Sequence, residues 1–338
     1  MDAAAALGAS VRAAVIALLL WSMSVASAQS QQRFAIVIAG ASGDEVHAAH
    51  HDKWSGDLAT AFENTFTFPS SNIFVLSPSA TPGDGETTHQ PRRGATAVNV
   101  RAVLGDLQRR VKREDVVVLV LLGHGTFDGE DAKFNLVGPD LTAHEWKQLL
   151  VPLPARVVVV NTTASSFTFL EELSQRGRVI ITATDSVAQK FATVFPEHFV
   201  QALVSPGTDI DKDSRISIWD AFAATSAGIK RHYEQRGQLS TERPLLDDDG
   251  DRLGREAEAP GQDGAFARTI YLNPDTPAPA RGGDATLVAL EKQRSTLEAE
   301  IETLKSRKPE MTAEQYAAEL ERLLLQLARV AQQIRQRS

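Results

Sequence analysis

A histidine flanked by two glycines follows one of the most apolar stretches of this chain. Val116 to Leu122 is apolar throughout and leads directly into Gly123-His124-Gly125. A run that is apolar on both faces is typical of a buried parallel strand, and ligands bind at the carboxyl ends of such strands. The imidazole of His124 could act there as a general base. By itself, however, Gly-His-Gly more often forms a tight turn with a solvated imidazole.

The next apolar run also ends in small polar residues. Val157 to Val160 is followed by Asn161-Thr162-Thr163-Ala164-Ser165-Ser166. A second strand end of this kind strengthens the case for a site around His124. Because the chain has no cysteine, a working cysteine protease is excluded.

Three further histidines, His47, His50 and His51, lie close together. If the segment is helical, His47 and His51 share one face at the spacing i, i+4 that some zinc sites use. No carboxylate follows in a metalloprotease arrangement, and a histidine pair lacks the third ligand of a zinc site. The sequence therefore favours a solvated loop over a metal site here.

An acidic segment later in the chain has the oxygen spacing of a calcium-binding loop. The carboxylates with this spacing belong to Asp209, Asp211, Asp213 and Asp220. Two features disagree with the motif: Ser214 stands where glycine is wanted, and Asp220 replaces the longer glutamate. Ser217 and Asp220 also match a capping box for the following helix. Both interpretations stay open, and apart from this Ca²⁺ the sequence predicts no cofactor.

The elements that would position these residues alternate between strands and helices. Runs rich in β-branched residues predict buried strands at Phe34 to Ala39, Ile73 to Leu76, Val116 to Leu122, Val157 to Val160 and Val179 to Thr182. Helical spacing predicts helices at Lys53 to Phe66, Val98 to Val111, Thr142 to Leu150, His198 to Leu203 and Ile218 to Tyr233. A last strand is predicted near Thr269 to Leu272. This order indicates an α/β domain with a mostly parallel sheet.

Beyond this domain the pattern changes to heptads. A Pro/Gly-rich stretch is followed by apolar residues that repeat every seven positions, at Leu290, Leu297 and Leu304 and then at Leu320, Leu327 and Ile334. Thr312 and Gln315 predict a capping box at the start of the second helix. Residues 285–338 are therefore predicted to form a helical hairpin or coiled coil. Each helix is only three heptads long, and Arg294 occupies one of the companion heptad positions. The hairpin therefore needs a partner, either the domain or a second copy of the chain.

The N-terminal residues predict export. Ala13 to Trp21 is an apolar run behind Arg12, and Ala26-Ser27-Ala28 offers the small residues that a signal peptidase accepts. The predicted organisation is a signal peptide at 1–28, an α/β domain at 29–273, a Pro/Gly linker at 274–284 and the hairpin at 285–338. The predicted location is the periplasm or the exterior of a bacterium. No later apolar run is long enough to span a membrane.

Composition narrows the classes of partner. The formal net charge is −8 and the isoelectric point is about 5.6. No cluster of lysine and arginine is interleaved with aromatic residues, so the sequence does not predict nucleic-acid binding.

The ordered set of motifs resembles the caspase-like cysteine peptidases, especially the legumain-type (C13) branch in its bacterial members. The segments that carry the resemblance are Gly123-His124-Gly125, Leu136 to Thr142, Arg156 to Ser166, Val179 to Ser186, Asp213 to Phe222 and Thr241 to Asp248. The resemblance implies a caspase-like three-layer αβα sandwich with a mostly parallel sheet, followed here by the helical hairpin.

The resemblance also implies roles for individual residues. His124 takes the position of the general base, Gly125 offers an oxyanion-hole N–H, and Thr163 takes the position of the family's catalytic cysteine. The segment Thr184-Asp185-Ser186 would line the substrate cleft. The Arg-His pair that legumains place after their first strand is not found in Gly40 to Glu45. The asparagine-selecting pocket of the family is therefore not implied.

Replacement of the family's catalytic cysteine by Thr163 bears on whether this protein can cleave peptides. A thiol is partly ionised near neutral pH, whereas the hydroxyl of Thr163 is almost wholly un-ionised and more crowded. The sequence therefore predicts a pseudo-peptidase that binds a peptide or protein partner without cleaving it. Two alternatives stay open. One is a residual hydrolase that uses Thr163 or Ser165 with His124, and the other is an assembly module that self-associates through residues 285–338.

Overall fold

The structure is a computed structural model that describes residues 31–79, 92–189, 191–274, 285–308 and 311–335 of the 338-residue chain. The predicted signal peptide lies outside the described residues, and so does the predicted linker apart from residue 274. The predicted domain boundaries therefore stay predictions.

Nine strands and eight α-helices are present in the described residues. The strands are β1 (Arg33–Ala39), β2 (Ile73–Leu76), β3 (Val116–Leu122), β4 (Gly125–Phe127), β5 (Ala132–Phe134), β6 (Leu141–Thr142), β7 (Arg156–Asn161), β8 (Arg178–Thr182) and β9 (Leu245–Asp247). The helices are α1 (Glu45–Thr60), α2 (Ala97–Arg110), α3 (Ala143–Leu150), α4 (Phe167–Leu173), α5 (Phe195–Val204), α6 (Ile218–Gln235), α7 (Ala285–Ser306) and α8 (Ala313–Arg335).

Six of these strands form one sheet in the order β2-β1-β3-β7-β8-β9. The first five are parallel, and β9 pairs with β8 in the antiparallel direction. In register, Ile36 of β1 lies beside Leu119 of β3, which lies beside Val159 of β7. Apolar side chains are buried on both faces of these strands, as parallel sheets covered on both sides require. The five strands predicted from apolar runs are confirmed.

Helices cover both faces of the sheet. The core on one face includes side chains from α1, α5 and α6, and the core on the other face includes side chains from α2, α3 and α4. Because successive residues of a strand point to opposite faces, Val118 of β3 joins the first core and Leu119 joins the second. The predicted three-layer αβα architecture with a mostly parallel sheet is confirmed.

The prediction for the last strand is wrong. Residues Ala267–Thr269 form a 3₁₀ turn, and Tyr271 makes only an isolated bridge to Ser217. The sixth strand of the sheet is instead β9, whose residues pair with Ile180 to Thr182 of β8. A strand of three residues is too short to show a hydrophobic period, so pairing with β8 decides its structure. The same reason explains why the small antiparallel sheet β4-β5-β6 was not predicted.

The first helix begins eight residues before the predicted start. Helix α1 starts at Glu45 and not at Lys53, because the side chain of Asp44 accepts a hydrogen bond from the backbone N–H of His47 at 2.8 Å. Asp is among the best residues for capping a helix N-terminus. The prediction of a solvated loop for His47, His50 and His51 is therefore wrong, since all three lie on α1.

The C-terminal residues form the predicted helical hairpin. Leu297, Ile301 and Leu304 of α7 are buried against Leu323 and Val330 of α8. Thr312 and Gln315 form the predicted reciprocal cap, with the Gln315 N–H donating to Thr312 Oγ1 at 3.2 Å. Among the helices that the structure describes, none is both long enough and apolar enough to cross a membrane.

One heptad position of the hairpin contacts the α/β domain. Arg294 of α7 donates from its guanidinium to the backbone carbonyl of Asp213 and lies 3.6 Å from Glu298 on its own helix. Burial raises the pKa of Glu298 to about 7. An arginine at a heptad position, which weakens an isolated coiled coil, thus serves as a contact to the domain.

Candidate functional site

The candidate site lies where the order of the sheet reverses. The chain passes from β1 to β2 on one side and then returns to β3 on the other side of β1. In open α/β sheets, ligands bind in the crevice at the carboxyl ends of the strands at such a switch point. His124 follows the carboxyl end of β3, and α1 follows the carboxyl end of β1.

Glycines let the two strand ends approach each other closely. The Gly40 N–H donates to the carbonyl of Leu122 at 2.8 Å. Gly123 has a φ of +142°, and a Cβ on this residue would lie 3.3 Å from the Gly40 nitrogen. At Gly40 itself a Cβ would lie 2.3 Å from the carbonyl oxygen of Asn135. Side chains at these positions would separate the elements that carry the histidines.

Three histidines meet at this crevice. The ring of His124 lies 4.9 Å from the ring of His47 and 5.7 Å from the ring of His51, measured between centroids. The rings of His47 and His51, one turn apart on α1, are 6.3 Å apart. The structure therefore adds two imidazoles to the predicted base. The i, i+4 spacing of His47 and His51 was visible in the sequence. The sequence did not show that the helix begins before them, which is what places both rings on one face.

Each of these imidazoles is held through one ring nitrogen. His124 Nε2 lies 3.0 Å from the carbonyl oxygen of Ser42, and His51 Nδ1 lies 3.2 Å from the Ser42 hydroxyl. His47 Nδ1 lies 2.8 Å from a carboxylate oxygen of Asp44. Ser42 and Asp44 are thus positioning residues that the sequence analysis missed, because the loop after β1 gave no motif for them.

The environment keeps His51 neutral. The residue is only 4% exposed. Burial, with a smaller contribution from the charges of His124 and His47, lowers the pKa of His51 to about 4. At neutral pH its imidazole is therefore in the neutral form, with only one of the two ring nitrogens protonated. Hydrogen bonds from the backbone and ring N–H groups of His47 hold the pKa of Asp44 below its usual range.

Thr163 is buried beside the turn that carries His124. It is 1% exposed, and its backbone N–H donates to Asn161 Oδ1 at 3.0 Å. A Cβ on Gly125 would lie 2.7 Å from Thr163 Oγ1, so the two residues are in close contact. Among the described residues Thr163 Oγ1 has no hydrogen-bond partner. Its proton is therefore not shared with His124, as a nucleophile activated by general-base catalysis would require.

The rest of the predicted cleft divides into a buried part and an exposed part. Thr184 is 1% exposed, and its hydroxyl bonds to Ser166 at 3.1 Å and to the Ala164 carbonyl at 3.0 Å. It therefore supports the turn after β7 from inside, and Ser165 in that turn is also buried. Asp185 is half-buried and lies 3.7 Å from Arg243. Ser186 accepts a hydrogen bond from the N–H of Ala188.

The acidic loop contains both features that the sequence left open. Oxygens of Asp209, Asp211 and Asp213 lie within 4.8 Å of one another. Asp220 stands outside this group and forms the predicted capping box, in which its N–H donates to the Ser217 hydroxyl at 3.1 Å. Ser214 adopts a φ of +69°, the left-handed conformation for which the motif usually needs glycine. Helix capping is confirmed, and calcium binding stays a prediction.

Comparisons with known proteins give structural likeness only. The chain matches no family model, and no curated protein is significantly similar to it in sequence. A crystal structure of a protein from Geobacter sulfurreducens (GSU0716) is similar over 72% of this chain and 99% of that chain, with 14% identity and a TM-score of 0.43. A secreted C11 cysteine protease from Bacteroides thetaiotaomicron, "iotapain", is similar over 66% of this chain and 67% of that chain, with 11% identity and a TM-score of 0.37.

Proposed function

We propose that this protein is an exported pseudo-peptidase of the caspase and legumain type that binds a peptide or protein partner without cleaving it. The observation that carries the proposal is the state of Thr163. The residue at the nucleophile position has a hydroxyl in place of a thiol, and that hydroxyl is buried and shares no hydrogen bond with His124. The proposed location is the periplasm or the exterior of a bacterium.

The surroundings of Thr163 support retention of a binding site. His124 and the turn after β7 lie at carboxyl ends of neighbouring parallel strands, where ligands bind in this class of sheet. Asp185 and Ser186 lie on the loop after β8, the next strand. The chain thus has the sheet edge at which a ligand would bind, but it lacks the group that would attack a peptide bond. In this proposal, the ligand is a peptide or an extended segment of a protein.

The hydrolase alternative has less support. It needs a hydroxyl that gives its proton to a base. Among the described residues, no hydrogen bond joins His124 to the hydroxyl of Thr163 or Ser165. The Nε2 atom of His124 instead forms a hydrogen bond with the carbonyl oxygen of Ser42.

Bound peptides are expected to remain intact. We expect the wild-type chain to retain a subset of a displayed peptide library and to return those peptides uncleaved after long incubation, because no activated nucleophile is present. Mass spectrometry of the bound fraction measures both outcomes. Asp185→Lys is expected to weaken retention roughly tenfold by reversing a charge at the predicted cleft. The matched control is Asp106→Lys on α2, where the side chain is 40% exposed.

Two results would contradict this proposal. Cleavage that disappears in Thr163→Ala or Ser165→Ala would establish the hydrolase alternative. Retention of no peptide, or equal weakening by Asp185→Lys and Asp106→Lys, would remove the peptide-binding role.

The assembly alternative has one specific observation in its favour. Leu324 and Leu325 of α8 are 48% and 53% exposed, on a helix whose other leucines pack against α7. Adjacent exposed leucines on a heptad helix are typical of a surface that another helix covers.

We expect the double variant Leu324→Glu with Leu325→Glu to have a lower subunit number than the wild type, because charges would be buried at the shared surface. Light scattering measures this. Leu239→Glu is the matched control, since Leu239 is 92% exposed and lies outside the hairpin. If the double variant and the wild type have the same mass, residues 285–338 do not mediate self-association.

A further inference from the structure

Three histidines from two elements meet at the crevice, which is the number of protein ligands in many zinc sites. Two of them, His47 and His51, are one helical turn apart, which is a common spacing for two zinc ligands. The third, His124, comes from the turn after β3 and supplies the ligand that the helix pair lacks. The separations between ring centroids are 4.9, 5.7 and 6.3 Å.

Hydrogen bonding leaves one nitrogen of each ring free. A carbonyl and a carboxylate oxygen can only accept, so His124 Nε2 and His47 Nδ1 carry the hydrogens in their bonds to Ser42 and Asp44. In the neutral rings the lone pairs are then at His124 Nδ1 and His47 Nε2. Among the described residues no hydrogen bond engages these two nitrogens or His51 Nε2.

Oxygen partners of this kind are what metal-bound histidines have. A ligating imidazole almost always donates its other N–H to a carboxylate, a backbone carbonyl or a water, which fixes the ring and its tautomer. Asp44 gives His47 a carboxylate partner, and Ser42 gives the other two rings a carbonyl and a hydroxyl.

We propose that His47, His51 and His124 bind one divalent transition-metal ion of the zinc type, through His47 Nε2, His51 Nε2 and His124 Nδ1. Tetrahedral zinc with N ligands at about 2.0–2.1 Å places the nitrogens about 3.4 Å apart. The rings stand wider than this, since no set of their nitrogens lies within 4.8 Å. Binding therefore requires the rings to move towards one another, and the side chain of His47, which is 36% exposed, is not fully enclosed by its neighbours.

The site leaves a fourth position for water or for a group of a bound ligand. Three protein ligands with one open position is the arrangement of zinc sites that interact with ligands. The metal would engage His124, the residue at the base position, and would lie at the edge where a peptide is proposed to bind. The proposal does not depend on peptide binding, because it concerns only the histidines and their oxygen partners.

Metal titration of individual variants tests the site. Zn²⁺ affinity is measured by competition with a chromophoric chelator on metal-free protein that carries no histidine tag, and Co²⁺ is used to detect tetrahedral coordination by its visible absorption. We expect one ion per chain. His47→Ala and His124→Ala are each expected to weaken binding by roughly 100-fold, and Asp44→Asn by about tenfold, through loss of a ligand or of a ligand's partner.

The matched control is His50→Ala. His50 lies on the same helix, is exposed and stacks on Trp54, with ring centroids 5.4 Å apart. It is expected to leave Zn²⁺ affinity unchanged. Circular dichroism and unfolding of the metal-free variants report on folding, and His47→Ala decides the test if substitution of the buried His51 unfolds the chain. The proposal is overturned if His47→Ala and His124→Ala bind Zn²⁺ like the wild type, if His50→Ala weakens binding equally, or if only Asp211→Asn weakens it.

Discussion

Thr163→Cys will be alkylated by iodoacetamide at a rate that falls at least tenfold when His124→Ala is added. The thiol would occupy a site that is 1% exposed in the wild type, and burial alone raises the pKa of a thiol and makes it inert. An adjacent imidazole favours the reactive thiolate. Because the chain has no cysteine, intact-mass analysis follows a single labelling event. The reaction is run with chelator present, so that His124 is free of metal.

A control variant distinguishes a thiol that His124 activates from an ordinary exposed thiol. Ser205→Cys places a thiol at an exposed residue at the end of α5, and its labelling rate is expected to be the same with and without His124→Ala. If Thr163→Cys is labelled equally fast in both backgrounds, the turn after β7 does not hold residue 163 against the imidazole, and Thr163 is not at the nucleophile position.

Gly40→Ala will lower the free energy of unfolding by about 3 kcal/mol. The new Cβ would lie 2.3 Å from the Asn135 carbonyl oxygen and 2.9 Å from the ring of Phe134. Neither neighbour moves easily, because the Asn135 carbonyl accepts a hydrogen bond from the Ala41 N–H at 2.9 Å and Phe134 is fully buried. The end of β1 must therefore shift away from the end of β5. Urea unfolding followed by circular dichroism measures the change.

A second glycine gives a control of opposite sign. Gly105 lies inside α2, and a Cβ on it would meet no atom within 4 Å. Gly105→Ala is expected to raise the free energy of unfolding by about 0.5–1 kcal/mol, because alanine loses less backbone entropy in a helix. Equal stability of Gly40→Ala and the wild type would show that the close contact of β1 with the β5 region does not constrain the crevice.

Local patterns determined most of the sheet and the hairpin. The runs Ile73 to Leu76 and Val116 to Leu122 match β2 and β3 residue for residue, because a buried parallel strand must be apolar on both faces. The capping boxes at Ser217 and Thr312 and the heptads of α7 and α8 were equally readable. Each of these signals lies within a short segment, where the physical cause is also local.

Contacts between distant segments decided the rest. The sequence placed His124 at a strand end, but it gave no reason to bring His47 and His51 to the same place. Their meeting depends on β1 lying beside β3 and on the close approach of Gly40 to Gly123. Likewise, the burial of the Thr163 hydroxyl against Gly125 follows from β7 lying beside β3. The sequence by itself determined which residue types stand at the strand ends, and the order of strands in the sheet decided which of them share a site.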